Sequence, residues 1–407
     1  MNSVKGIAIL LSIFSVCTAL ALDAEPVFNT PGFYRESTST IEDKLISMTR
    51  LAVAGSKIRV TLYRVDRVPI MQALAEASRR GVDVQVVLDG GNKAFRNVPG
   101  HAIQILTSGL QCAEGEKCVK FCASPIQAPL SLLKVKEGYK VGGSCRGLVI
   151  NHNKLFLFSE LSDGRKNIIA QTSANMMMHQ LEMYNDLLLI KNDPQLFAGF
   201  MHYWEKLKND NTVLKKSFPT LTSADAKVKA YFFPRLISGS DPVEELLKKV
   251  NCRLPNSRIR GAQSAFTRAS VAKQMRRLID EGCAVDIISR VDPVQRSPGR
   301  KVQEYLGNNI YVLPYRGERP EEQHTNSIHT KIVLIDASID NSPEKIPVVL
   351  TGSHNIDFWS LRGNDEVLLE VRDRALYEQY SDFIDRIVGD AHTGNVEFIR
   401  KVTGPRD

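Results

Sequence analysis

The sequence predicts an α/β protein of two similar halves related by a pseudo-two-fold axis, and three observations predict it. First, His152-Asn153-Lys154, Ser173-Ala174-Asn175 and Asn185-Asp186 recur as His329-Thr330-Lys331, Ser353-His354-Asn355 and Asp365-Glu366. Read without a gap, Thr172 to Asn175 lies 180 residues before Gly352 to Asn355, which sets Asp186 against Glu366. Second, Ser56-Lys57-Ile58-Arg59 lies 201 residues before Ser257-Arg258-Ile259-Arg260, and the same offset carries Gly81 onto Gly282 and Val84 onto Val285. Third, the hydrophobic periodicity around these matches switches between strand and helix in the same order in both halves.

Taken in order, Lys57 to Tyr63 alternates in a β-rich run and predicts a strand. Ile70, Leu74 and Ala77 give the spacing of a helix from Ile70 to Arg80 that stops at Gly81, and Val82 to Leu88 is a mostly apolar strand. Ile259 to Phe266, Val271 to Glu281 and Val285 to Ser289 repeat that order. A strand-helix-strand unit implies a parallel pair joined by a right-handed crossover, so each half is an α/β layer of its own. A chain of 407 residues, 43% hydrophobic, supplies two cores. Helical periodicity lapses after Trp204 and Val228 to Phe233 restarts a strand, which puts the boundary between Lys215 and Lys227 and the halves at 22–220 and 221–407.

Residues 1–21 read as a signal peptide. Lys5 precedes an apolar run from Gly6 to Val16, and Ala19-Leu20-Ala21 offers the small-x-small pattern cut after Ala21, predicting a secreted or periplasmic protein. Six cysteines remain beyond Cys17, an even number that suits an oxidising compartment. Cys112, Cys118, Cys122 and Cys145 fall in a stretch, about 100–146, where the first half carries a net insertion of 24 residues, and are expected to bridge among themselves, which leaves Cys252 and Cys283 as the expected third pair. A zinc site using the Cys118-x3-Cys122 spacing is the competing reading.

A strand bearing His and Lys two residues apart projects both to one face, where Asn from the next strand can join them. Imidazole, ammonium and amide together stabilise negative charge spread over oxygens, as in a phosphoryl group in its transition state. One imidazole can attack phosphorus while a second protonates the departing alkoxide and then activates water. Ser173 and Ser353 lack the G-x-S-x-G setting of a triad nucleophile, and neither histidine lies in H-E-x-x-H. His354 alternates in direction with its neighbours and is expected to point away from the phosphate.

These motifs resemble the phospholipase D superfamily, whose signature H-x-K-x4-D followed by G-S-x-N is met in full by His329, Lys331, Asp336 and Gly352 to Asn355. The first copy departs from it with Ser159 in place of the Asp and Thr172 in place of the Gly. The resemblance implies two α/β/α sandwich halves in one monomer, an internal pseudo-dimer with no obligate protein partner, and a covalent phosphohistidine mechanism without metal or organic cofactor. It makes His152 the nucleophile and His329 the general acid and then base, or the two exchanged, with Lys154, Lys331, Asn175 and Asn355 on the phosphate oxygens. Ser173 and Ser353 would assist in binding substrate, and Asp186 and Glu366 would orient the imidazoles. Asp336, five residues beyond Lys331 and so on the other strand face, is expected to be structural. The formal charge of +8 suits a phospholipid surface or, alternatively, nucleic acid. Export beside membranes favours phospholipid, cleaved to phosphatidic acid and a headgroup alcohol, over the alternatives of a secreted metal-independent nuclease, a phosphatidyltransferase or a non-catalytic phosphate-binding protein.

Overall fold

The computed structural model describes residues 22–31, 39–114, 116–123, 142–209, 217–235, 239–292, 296–313 and 327–392. The expected signal peptide and the middle of the Cys-bearing insertion lie outside them.

The first half runs β1 (Ala24–Asn29), α1 (Thr40–Leu51), β2 (Lys57–Leu62), α2 (Val68–Arg79), β3 (Asp83–Leu88), α3 (Ala102–Gly109), β4 (Val119–Phe121), β5 (Lys154–Glu160), β6 (Lys166–Thr172), β7 (Met183–Ile190) and α4 (Pro194–Asn209). The second runs β8 (Leu221–Thr222), β9 (Val228–Phe233), α5 (Pro242–Lys249), β10 (Val250–Asn251), β11 (Arg258–Gln263), α6 (Ala269–Asp280), β12 (Ala284–Arg290), α7 (Arg300–Leu306), β13 (Ile310–Leu313), β14 (Ser327–Ile328), β15 (Lys331–Ile339), β16 (Ile346–Gly352), α8 (Phe358–Arg362), β17 (Glu366–Val371) and α9 (Arg374–His392).

The two sheets share one strand order. In the first it is β1-β7-β6-β5-β2-β3-β4, and in the second β9-β17-β16-β15-β11-β12-β13, with β8 added beyond β9. In both, the strand-helix-strand unit is a parallel pair (β2 with β3, β11 with β12), and β5-β6-β7 and β15-β16-β17 form antiparallel meanders.

Period-two alternation divides the core into three layers. Leu155 and Leu157 of β5 join Ile332 and Leu334 of β15 in a central cluster that also takes Phe200 and Trp204 of α4 and Tyr380 and Phe383 of α9. Phe156 and Phe158 face the opposite way, onto the cluster of α1 to α3, and Val333 and Ile335 face the cluster of α5 to α7. Each half is thus a sandwich with helices on both faces of its sheet. The central layer joins the halves, and each large side chain fully buried there stabilises the assembly by roughly 1.5–3 kcal/mol.

Cys112 pairs with Cys118, Cys122 with Cys145 and Cys252 with Cys283, so the four cysteines of the insertion bridge among themselves as expected. Cys118 and Cys122 sit in different disulfides, which removes the thiolate pair that the zinc reading required. Three disulfides suit an extracellular or periplasmic setting. Among the described residues no helix is long and apolar enough to cross a membrane.

Candidate active site

The chain leading into each H-x-K motif crosses to the opposite half. Asn151 forms a parallel bridge with Asp365, and the His152 N–H donates to the Asp365 carbonyl at 2.9 Å. Reciprocally, β14 pairs parallel with β7, and the N–H groups of His329 and Thr330 donate to the Tyr184 carbonyl at 3.0 and 2.9 Å. Each histidine backbone is therefore fixed by the strand that belongs to the other half. The residues next in those strands reach the imidazoles: His152 Nδ1 lies 3.0 Å from Glu366 Oε2, and His329 Nδ1 lies 3.1 Å from Asn185 Oδ1.

This geometry corrects the gapless register. Asn185, not Asp186, is the counterpart of Glu366, and Asp186 matches Val367: the Ser173 N–H donates to the Asp186 carbonyl as the Ser353 N–H donates to that of Val367. The physical reason is a connection from Asn355 to Asp365 one residue longer than that from Asn175 to Tyr184. In a strand, a shift of one turns a side chain to the other face. The Asp186 carboxylate accordingly leaves the site and accepts hydrogen bonds from Thr330, Thr351 and, at 3.2 Å, Tyr380, all of the second half. It ties the halves together and does not orient an imidazole.

The lysines open β5 and β15, whereas the histidines stand on the extended approach rather than within the strands as expected. Lys154 Nζ donates to the His152 carbonyl at 2.7 Å; Lys331 Nζ donates to the His329 carbonyl and lies 3.3 Å from His329 Nδ1. Both ammonium groups are buried. Asn175 and Asn355 follow the ends of β6 and β16, where the chain leaves the sheet. Their Oδ1 atoms are buried and accept no hydrogen bond among the described residues, so these amides retain unused bonding capacity.

Burial dominates the electrostatics. It pushes Lys154 down to about 7, against the opposing pull of Glu366 and Asp89. Lys331 is held well below the ordinary lysine range by burial and by the charges of Lys154 and Arg290. His152 falls to about 4 through burial, which Glu366 only partly offsets, and His329 is lowered by burial and the neighbouring Lys331 and Arg290. Glu366 is buried, which alone would raise it, yet the charges of His152, His354 and Lys154 hold it at about 2. The result is a buried cluster of imidazoles and amines whose charged forms burial disfavours, beside one fixed carboxylate. An oxyanion placed among them would favour their protonated forms and be held by them.

The serine hydroxyls are engaged elsewhere. Ser173 Oγ accepts the Asp186 N–H at 2.9 Å and donates to Asn185 Oδ1 at 3.2 Å, while Ser353 Oγ accepts the Val367 N–H at 3.1 Å. Each hydroxyl is a pin between the motif turn and the strand carrying Asn185 or Glu366. His354 points away as expected: it stacks on Phe233 at 3.9 Å, with Nε2 3.1 Å from Arg268, which pairs with Asp241. Asp336 is remote from the imidazoles and pairs with Arg374 and Lys345. In the first copy Ser159 accepts the Lys57 N–H at 2.8 Å. The other departure also has a local cause: Gly352 has φ +147 and a Cβ there would collide with the Val367 carbonyl, whereas Thr172 spends its hydroxyl on the Asp186 carbonyl at 2.7 Å.

Sequence reasoning missed four residues. Asn185 was hidden by the one-residue shift. Tyr63 packs edge-on to His152 at 5.1 Å and lies 5.4 Å below Lys154 Nζ. Asp89 accepts the Asn151 N–H at 3.0 Å, next to His152, and burial raises it to about 6. Asp365 accepts from Ser144 Oγ and from the N–H groups of Cys145, Arg146 and Gly147 at 2.6–3.3 Å, so the insertion closes over the start of β17. Asp365 stands in the repeated Asp365-Glu366 pair but without a role, and nothing in the sequence marks Tyr63 or Asp89, because each acts through a fold contact distant along the chain.

Two imidazoles and two amines, drawn close enough across the halves for their charges to interact, can together with two amides bind a tetrahedral oxyanion and serve it with a nucleophile and an acid. Among curated proteins none matches this chain. Its fold is similar to that of a phosphatidylserine synthase from Haemophilus influenzae Rd KW20, at 13% identity and a TM-score of 0.58 over 94% of this chain and 89% of that one. It is also similar to polyphosphate kinase from Porphyromonas gingivalis, at 13% identity and a TM-score of 0.52 over 90% of this chain. The chain spans 50% of that kinase's length. A family model described as cardiolipin synthase, PLD-like domain, matches residues 48–208 and 252–388, one stretch in each half. With more than half its length matched and both motif sets in these stretches, the chain belongs to the phospholipase D superfamily.

Proposed function

We propose that the protein is a phosphodiesterase that hydrolyses phospholipids to phosphatidic acid and a free headgroup alcohol. His152 Nε2 attacks phosphorus, and His329 gives a proton to the departing headgroup oxygen. His329 then takes a proton from water, whose hydroxide displaces His152 and releases phosphatidic acid. Lys154, Lys331, Asn175 and Asn355 hold the non-bridging oxygens, and no metal or organic cofactor takes part.

The observation that carries this reading is the unequal backing of the two imidazoles. A carboxylate behind His152 stabilises the cation formed when that ring is phosphorylated, and a neutral amide behind His329 leaves its imidazolium a stronger acid. The description of the matching family as cardiolipin synthase supports a second reading, in which an alcohol rather than water accepts the phosphatidyl group from the same intermediate.

Purified protein incubated separately with phospholipid vesicles and with single- and double-stranded DNA and RNA tests the proposal. Release of phosphatidic acid is expected, and added ethanol should divert part of it to phosphatidylethanol. Untouched lipid together with cleaved nucleic acid would overturn the substrate and leave the chemistry standing on a nuclease.

A further inference from the structure

The described residues include four exposed large apolar side chains: Phe95, Val98, Met178 and Phe358. Two of them are equivalent across the halves. Met178 and Phe358 each stand three residues past a site asparagine, Asn175 or Asn355. Met178 is 59% exposed and Phe358 59% exposed, on turns that leave the site. Phe95 and Val98 lie in the segment that starts at Asp89, whose carboxylate holds the residue before His152. That segment reads Lys93-Ala-Phe95-Arg96-Asn-Val98 and is exposed throughout, so two cations alternate with two apolar groups. All four apolar residues thus leave the fold from turns anchored at the catalytic groups. Phe95 packs on His101, Met178 beside Arg67 and Phe358 edge-on to Trp359, yet each leaves a large apolar surface in water on a segment that starts from a site residue.

Resting on the phospholipid reading, we propose that these four side chains form an interfacial docking surface that enters the headgroup region of an anionic bilayer, with Lys93 and Arg96 on its phosphates. The cations decide the occupant: apolar groups interleaved with Lys and Arg suit an anionic lipid interface. A second copy of the chain would set Lys93 and Arg96 against like charge.

The test uses the full protein and a Phe95→Ser/Val98→Ser/Phe358→Ser variant. Cosedimentation with phosphatidylglycerol/phosphatidylcholine vesicles at 4 °C reads docking, and turnover of bis(p-nitrophenyl) phosphate reads the site. The variant is expected to bind vesicles at least about tenfold more weakly while its turnover of the soluble diester stays within about twofold. Parent-like vesicle binding and vesicle hydrolysis by the variant would overturn the docking surface alone. A parent that ignores vesicles while cleaving the soluble diester would overturn the phospholipid reading and the docking surface with it. Dimer dissociation on making the variant, seen by light scattering, would assign the patch to a second copy instead.

Discussion

Replacing Glu366 by Gln removes one charge from behind His152 and little else. The amide keeps the size and an acceptor oxygen for the imidazole N–H, as Asn185 does for His329, so the tautomer survives. What is lost is attraction between a carboxylate and a ring that becomes cationic on phosphorylation. At the observed 3.0 Å, with an effective dielectric of about 20, that attraction reaches roughly 5 kcal/mol as a ceiling. The remaining neutral hydrogen bond returns about 1 kcal/mol, and reorganisation of a buried site returns more. A loss of about 2–4 kcal/mol corresponds to a rate roughly 30- to 1,000-fold slower. The assay is rapid-quench measurement of p-nitrophenol release from bis(p-nitrophenyl) phosphate under single-turnover conditions, with Asn185→Ala alongside. Glu366→Gln should slow formation of the covalent intermediate, and Asn185→Ala should act mainly on its breakdown. A Glu366→Gln enzyme that forms the intermediate at the parent rate would refute the reasoning.

His152→Ala and His329→Ala should each abolish turnover, since neither half completes the cycle alone; circular dichroism should show both folded. For pH, His152 titrates at about 4 and is the required neutral nucleophile above that value, while Lys154 at about 7 carries charge only below it. Loss of the Lys154 charge sets the alkaline limb, so kcat/KM should fall below about 4 and above about 7, and an alkaline limb starting near 10 would contradict it. Asp186→Ala should lower unfolding free energy by about 2–4 kcal/mol, because Thr330, Thr351 and Tyr380 lose a shared buried acceptor. Lost activity with unchanged urea unfolding would return Asp186 to the site. Cys252→Ser with Cys283→Ser opens a loop of sequence separation 31 and should cost about 3.7 kcal/mol in the same assay.

The strand-helix-strand units were legible because their patterns are local. Lys57 to Tyr63 and Ile259 to Phe266 became β2 and β11 within a few residues, and Val228 to Phe233 became β9. The site was legible in its residue types, since the paired motifs repeat at fixed offset. It was not legible in its pairings. Those depend on each motif's approach segment adding to the opposite sheet, a contact that sequence periodicity does not encode. A single extra residue after Asn355 then exchanged the roles read for Asn185 and Asp186. The strand contacts of Ser173 and Ser353 were hidden for a related reason, because a hydroxyl beside a catalytic amide gives no sign that a backbone N–H donates to it.

The central claim is that phosphorus passes through His152, and the direct measurement is mass-spectrometric mapping of the phosphorylated residue. His329→Ala protein, which cannot supply the base for hydrolysis, is mixed with bis(p-nitrophenyl) phosphate, quenched at alkaline pH to preserve a phosphoramidate, digested and sequenced. The account predicts a p-nitrophenyl phosphate adduct on the peptide containing His152, formed with one equivalent of p-nitrophenol and absent from His152→Ala protein. An adduct on Ser173 or on Lys154, or an equivalent of p-nitrophenol released with no adduct on the protein, would contradict it.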